Sequence, residues 1–303
     1  MRVWTPPPGI GRLIAIVLLL ATIGGLGLVV WQLRQTFSGD PTQWQIGPDL
    51  FIRVCLLCAL ALCAGWLAYR LAAALTLRYE LDRNALTIIW LGSRMTIPLD
   101  QIVTVDAGVR AATRLGPLQQ IGAYWGRGVA PGHVPVHFFT TRSPASSLTI
   151  YAAGVGYLIS PSDQAGFISD LDERRKLGAA RAVTATTSAD RLFLSAFWND
   201  PAVRWLLALV LMVNLAALGL LTLRYGALPQ TLEMRFDSAG GVSGMRPRFQ
   251  ILFLPLAAFG LSLVNLLIGL VIFRREPDGA RLVQGASLLI QLLFAVAVLS
   301  VMR

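Results

Sequence analysis

Residues 78–99 read RYELDRNALTIIWLGSRMTIPL, and their pattern separates one soluble module from an otherwise strongly apolar chain. Short runs rich in Tyr, Thr, Ile and Trp are interrupted at Arg83-Asn84 and at Gly92-Ser93. Both interruptions are turn signals, the first because Asn tolerates the left-handed backbone conformation. Tyr79 to Asp82, Leu86 to Leu91 and Arg94 to Leu99 therefore read as the strands of a meander. After Pro98 the chain bends and resumes as a strand around Val103 to Val105.

Further downstream, Arg110 to Gly132 is long and glycine-rich and reads as an exposed loop ending in Tyr124-Trp125-Gly126-Arg127-Gly128. Val134 to Thr141 and Leu148 to Tyr151 are strands again, and Gly154 to Ile159 completes a hairpin. Ser162 or Asp163 then caps an amphipathic helix that places Phe167, Ile168 and Leu171 on one stripe.

Outside this module the chain is membrane-like. With 55% hydrophobic and 14% charged residues and a mean hydropathy of +0.63, it lies far from the roughly 25% charged average of soluble domains. Five apolar runs are long enough to cross a bilayer as helices, about 13–33, 50–77, 205–223, 249–273 and 282–302. The second is interrupted by Arg53 near its start and Arg70 near its end, both expected to snorkel to the interface. The first is preceded by Arg2 and Arg12 like a signal peptide. It exceeds the usual h-region of about 7–15 residues and lacks a small-x-small cleavage site, so a retained span is expected.

The domain expectation is thus two spans in 1–77, a soluble module over 78–178, a linker over 179–202 and three spans in 203–303. Arg12, Arg78, Arg204 and the 274–281 loop all fall on one side of these spans. The positive-inside bias then predicts a bacterial inner-membrane protein with N-terminus and module in the cytoplasm and C-terminus outside.

The phrases Tyr79-Glu80-Leu81, Leu86-Thr87-Ile88, Ile97-Pro98-Leu99 with Ile102, and Tyr157-Leu158-Ile159-Ser160-Pro161 before Phe167-Ile168 resemble the bacterial pleckstrin-homology (PH)-like domains of membrane proteins. The resemblance covers about a third of the chain. It implies a seven-stranded sandwich or partly open barrel plugged by its terminal helix, used as an adaptor or oligomerisation platform. It does not imply phosphoinositide binding, because the early hairpin offers only Arg83 and Arg94, which read as solvated turn residues. The expected fold class is therefore α+β: five transmembrane helices plus one small antiparallel β sandwich or barrel closed by a C-terminal helix.

A second likeness covers Val203 to about Phe273. Leu228-Pro229, Phe236-Asp237 and the glycines at 240, 241 and 244 resemble an uncharacterised membrane domain shared with Sdp-type peptide-toxin immunity proteins. Glu233 and Arg235 stand where that family has Pro and His, so a function resting on that His does not carry over. Two readings of the loop stay open, a solvated turn or an external peptide contact through Glu233, Arg235 and Asp237.

No catalytic, metal or cofactor motif is legible. His133 and His137 on one strand would stand roughly 13 Å apart. Cys55, Cys58 and Cys63 share one apolar run and read as small buried hydrophobes. Gly122 to Gly132 lacks the Gly-Lys-Ser/Thr ending of a phosphate loop. A net charge of +10 is spread along the chain as Arg, which suits lipid headgroups and argues against nucleic acid. Asn214, Asn265, Gln284 and Gln291 are expected to join helices by hydrogen bonds. The expected role is a non-catalytic scaffold that meets the bilayer, itself or another membrane protein, with Tyr124, Trp125 and Arg127 as the candidate contact. The alternatives are an immunity-like or sensory protein using the 224–248 loop and, third, a small transporter.

Overall fold

A computed structural model describes residues 1–107, 117–130, 133–178, 180–181, 183–188, 194–236 and 242–302. The chain forms two compact units, Met1–Gly24 with Leu62–Leu192 and Gly25–Ala61 with Phe193–Arg303. It is α+β, and among the described residues five helices are long and apolar enough to cross a membrane.

In the first unit, β1 (Arg2–Trp4) precedes α1 (Ile10–Thr36) and α2 (Pro48–Thr76), helices that also run into the second unit. Then come β2 (Arg78–Leu81), β3 (Ala85–Trp90), β4 (Ser93–Pro98), β5 (Ile102–Ala107), β6 (Tyr124–Ala130), β7 (Val134–Thr140), β8 (Leu148–Ala152) and β9 (Val155–Ile159). The unit ends with α3 (Gln164–Leu177) and β10 (Thr186–Ser188). The described strands of this unit form two five-stranded sheets, ordered β1-β2-β3-β4-β10 and β5-β8-β9-β7-β6. Both contribute to one core that includes Leu81, Leu86, Ile88, Ile150 and Ile159, joined by Phe167 and Leu171 of α3. Each such side chain removed from water contributes roughly 1.5–3 kcal/mol.

Local chemistry explains the turns, with two departures from expectation. Leu91 and Gly92 take φ of 45° and 77°, so the β3–β4 turn lies one residue earlier than Gly92-Ser93. Positive φ at both central residues matches the right-handed twist of the flanking strands. Asn84 is not left-handed. The β2–β3 turn is held instead by the Asp82 carboxylate, which accepts from the Asn84 and Ala85 backbone N–H groups at 2.6 and 2.7 Å.

Arg83 is exposed, yet it is not merely a solvated turn residue. Its guanidinium donates to the carbonyls of Leu177 and Gly178 at the end of α3, while the Asn84 side-chain oxygen accepts from the amides of Ala180 and Arg181. The Arg83 contacts satisfy carbonyls that a helix C-terminus leaves open, and the Asn84 contacts hold the chain just beyond it. At the other end of α3, the Asp163 side chain accepts from Gly166 N–H.

The sheets are not wholly antiparallel, because β7 and β9 pair in parallel. The chain reaches that register through β8, which lies on the far side of β9 and supplies the long crossover a parallel pair needs. Two further strands escaped the sequence reading. β1, at the N-terminal flank of the first span, pairs with β2, and β10, inside the segment expected to be a linker, pairs with β4.

The second unit contains the remaining turns of α1 and α2 with α4 (Leu194–Asn199), α5 (Pro201–Arg224), β11 (Thr231–Phe236), β12 (Val242–Pro247), α6 (Phe253–Ile272) and α7 (Pro277–Val301). Pro201 and Pro277 open their helices at the position where a missing N–H is harmless. The Asp200 carboxylate accepts from Val203 N–H and from Arg281 at 2.6 Å. The Arg281 hydrogen bond, then the Val203 N–H, hold its pKa below the usual carboxylate value. The helices are joined through buried amides. Asn214 donates to the Pro255 carbonyl and to Gln291 Oε1, Gln291 donates to Ser262 Oγ, and Gln284 donates to the Asn265 carbonyl. Residues 231–236 and 242–247 are more than a turn, since β11 and β12 pair antiparallel and Leu232 is buried in one cluster with Tyr225, Ile251 and Val298.

Candidate interaction surface

Tyr124, Trp125 and Arg127 lie on a strand, β6, and not in a loop. The glycines that signalled a loop serve the strand. Gly126 has φ +142°, a conformation that side chains rarely adopt, with Gln119 close to where a Cβ would stand. Flanking Tyr, Trp and Val favour a pleated, half-buried position, which outweighs the glycine penalty.

Cross-strand register builds two rows on one face of the second sheet. Trp125 stands opposite Phe139, then Ile159, then Leu148, while Arg127 stands opposite His137, then Tyr157, Ile150 and Val105. The first row is the wall of the core. Trp125 lies 5.6 Å from Phe139 with the rings perpendicular, and Trp90 of β3 lies 5.7 Å from Trp125 and 4.8 Å from Phe139. Such aromatic contacts add about 0.5–1.5 kcal/mol each beyond burial.

The second row grades from buried Ile150 through half-buried Tyr157 and His137 to exposed Arg127 at the sheet edge. Tyr124 points to the opposite face, so the structure brings Trp125 and Arg127 together and separates Tyr124 from them. Burial, and secondarily the Arg127 charge, keeps the His137 imidazole below its ordinary pKa. Burial also raises the Tyr157 phenol. The face therefore presents one guanidinium, a neutral imidazole at pH 7 and a phenol over an aromatic base.

Two deeper contacts hold this face. Tyr79 is fully buried, its hydroxyl donating to the Phe139 carbonyl at 2.7 Å and accepting from Ser160 N–H at 3.1 Å. Burial pushes this phenol up to about 12 against the hydrogen bond from Ser160.

Arg70 finds its partners in the protein backbone. It is 9% exposed, and its guanidinium donates to the carbonyls of Gln119, Ile121 and Ala123 at 2.7 to 2.9 Å, in the segment that leads into β6. Backbone meets backbone at the same place. Gly122 N–H donates to the Gly11 carbonyl, and a Cβ on Gly122 would stand 2.7 Å from the Arg70 carbonyl oxygen. A carbonyl cage satisfies a buried guanidinium through charge-assisted hydrogen bonds. His137, Tyr157, Trp90 and Arg70 were not singled out from sequence as parts of this surface, because strand pairing alone brings the first two into line with Arg127.

Glu233 and Arg235 lie on β11, opposite Met245 and Gly244, with the register irregular between them. Asp237 lies outside the described residues, as do 110–116 and 131–132 of the expected loop. Arg94 is exposed on β4. Among the described residues no three His, Cys, Asp or Glu side chains are grouped as a metal site.

Residues 77–175 match the family described as Bacterial PH domain. The match spans β2 to β9 and most of α3, so the resemblance seen in the strand phrases holds for this module. It accounts for both sheets of the candidate surface apart from β1 and β10. No curated protein and no solved structure matches the chain.

Proposed function

We propose that this protein is a non-catalytic, multi-pass scaffold of a bacterial inner membrane, whose PH-like module recruits another membrane protein or a second copy of itself. The observation that carries the reading is the Arg127–His137–Tyr157 row beside edge strand β6, on a module whose family match is to an interaction-type domain. The aromatic base keeps the row rigid, and Tyr, Trp and Arg are the residue types enriched at protein contacts. In this reading the bilayer solvates five helices, α3 closes the β sandwich, and nucleic acid and cofactors take no part. The N-terminus and module are cytoplasmic and the C-terminus is outside.

The test is a photo-crosslinking amino acid placed at Arg127 and, as a control, at exposed Leu177. A protein adduct from position 127 and not from 177 is expected. Equal yields, or none, refute the reading. Single Cys reporters at Ser38 and Ser143 in a Cys-free background test sidedness, with only Ser38 expected to label from outside.

A second reading, an immunity-like or sensory protein, is favoured by the β11–β12 hairpin, which is anchored through Leu232 and carries Glu233 and Arg235. It predicts loss of function from changes at Glu233, Arg235 and Asp237 and tolerance at Arg127, the reverse of the scaffold. A transporter requires solute uptake by reconstituted vesicles that fails on Asn214→Leu.

A further inference from the structure

The α1–α2 connection, wholly within the second unit, borders an open cleft of about 530 Å³ whose walls include Gln35, Thr36, Gln43, Gln45, Asp49 and Arg53. That volume falls in the range of small-molecule sites, roughly 300–1,000 Å³, but most such sites are apolar and this one is polar. Its occupant must therefore offer charge or hydrogen bonds in return.

Asp49 and Arg53 stand four residues apart on α2, the spacing at which an acidic and a basic side chain ordinarily close on each other. Here the Arg53 Nη1 donates to Thr36 Oγ1 of α1 at 2.7 Å instead. Among the described residues Asp49 forms no ion pair, and the carboxamides of Gln35, Gln43 and Gln45 make no side-chain hydrogen bond. One cleft thus displays a fixed cation and a separate anion, neither neutralising the other, with three carboxamides between donor and acceptor roles.

The walls are set in advance. Asp40 accepts from Thr42 N–H and Thr42 Oγ1 at 2.9 and 2.8 Å, which pins the start of the connecting turn. Trp44, between Gln43 and Gln45, is held by Phe37 at 5.0 Å and Phe249 at 5.7 Å. Ile46 and Leu50 sink into the core of the unit. The backbone at Gln43 and Gln45 is therefore fixed on either side of an anchored residue, while their exposed side chains are ordered only on binding.

We propose that this cleft binds a small dipolar molecule, its ammonium end on Asp49 and its oxyanion end on Arg53. The same chemistry is offered by a free amino acid and by a phosphoethanolamine lipid headgroup. The inference rests on the second unit alone and is independent of the scaffold reading.

The test titrates the full chain in detergent micelles with alanine, glycerophosphoethanolamine, inorganic phosphate and ethanolamine by calorimetry, and quantifies co-purified phosphatidylethanolamine by mass spectrometry. At least one dipolar probe is expected to bind tenfold or more tighter than phosphate or ethanolamine. Alanine binding indicates a free solute; glycerophosphoethanolamine binding with co-purified lipid indicates a headgroup. Asp49→Asn should reduce the dipolar probe to the affinity of phosphate, and Arg53→Gln, which can still reach Thr36, to that of ethanolamine. Gln43→Ala, at an exposed position of the wall, should weaken the dipolar probe severalfold with unchanged thermal melting. The proposal is overturned if no dipolar probe outbinds the single-charge probes and the variants carry the same lipid as wild type. It is equally overturned if all three variants bind as wild type does.

Discussion

Replacing Tyr79 by Phe removes one oxygen from the middle of the PH-like module. The hydroxyl bridges β2 of the first sheet to Phe139 of the second and to Ser160 just beyond β9, and the residue is fully enclosed. Phe fills nearly the same volume, so the loss is polar: the Ser160 N–H and one lone pair of the Phe139 carbonyl are left in an apolar core. At about 1–3 kcal/mol for each buried group left without a partner, and less for a carbonyl that keeps other options, Tyr79→Phe should cost about 2–4 kcal/mol. That is a large part of a domain's typical stability of 5–15 kcal/mol.

Hydrogen exchange by mass spectrometry on the full chain in micelles reads it locally, with the protection of β7 and β9 amides falling roughly 30- to 1,000-fold. Tyr157→Phe, at a half-buried site, is the matched control and should change little. Alkaline titration gives an independent check. A phenol at about 12 in the folded state against about 10 in the unfolded chain stabilises the module fully below pH 10. That contribution, roughly 3 kcal/mol, is lost as pH rises from 10 through 12. Near-UV circular dichroism should show this alkaline loss in wild type and a shallower one in Tyr79→Phe. A protection change under threefold, with an unaltered alkaline profile, refutes the account of Tyr79 as the bridge between sheets.

The carbonyl cage predicts that Arg70→Leu frees the 119–123 backbone, at about 1–3 kcal/mol for each buried carbonyl left without its donor. Exchange at Gly122 and Ala123 should accelerate at least tenfold, and Arg70→Lys should rescue only partly because an ammonium lacks the planar fork. His137 should titrate below its ordinary value by NMR. Arg127→Gln should raise it only part of the way, since burial is the larger cause. A depressed folded-state value means that the unfolded chain takes the proton first. Stability should therefore fall as pH drops below about 6.5, and thermal melts of His137→Gln should lack that component.

Much of this architecture is local and was legible before any fold was known. A long apolar helix requires only an apolar run of sufficient length, and Arg residues flank the first, third, fourth and fifth of these runs. The strands of the 78–99 meander declare themselves by composition and turn residues, and Asp163 announces the start of α3. Tertiary structure decided what depends on partners distant in sequence. The 124–130 stretch became a strand because β7 and the Trp90–Phe139 aromatics accept it, whereas its glycines taken alone signal a loop. Arg127, His137 and Tyr157 form a row only through a parallel β7–β9 pair, for which the expected hairpins offered no cue. Arg70 found backbone carbonyls, which every residue carries and no side chain advertises, so an arginine bound for lipid and one bound for a carbonyl cage look identical in sequence. The same holds for Asp49 and Arg53. Their spacing suits an ion pair, and only the structure shows Arg53 donating instead to Thr36 of the neighbouring helix.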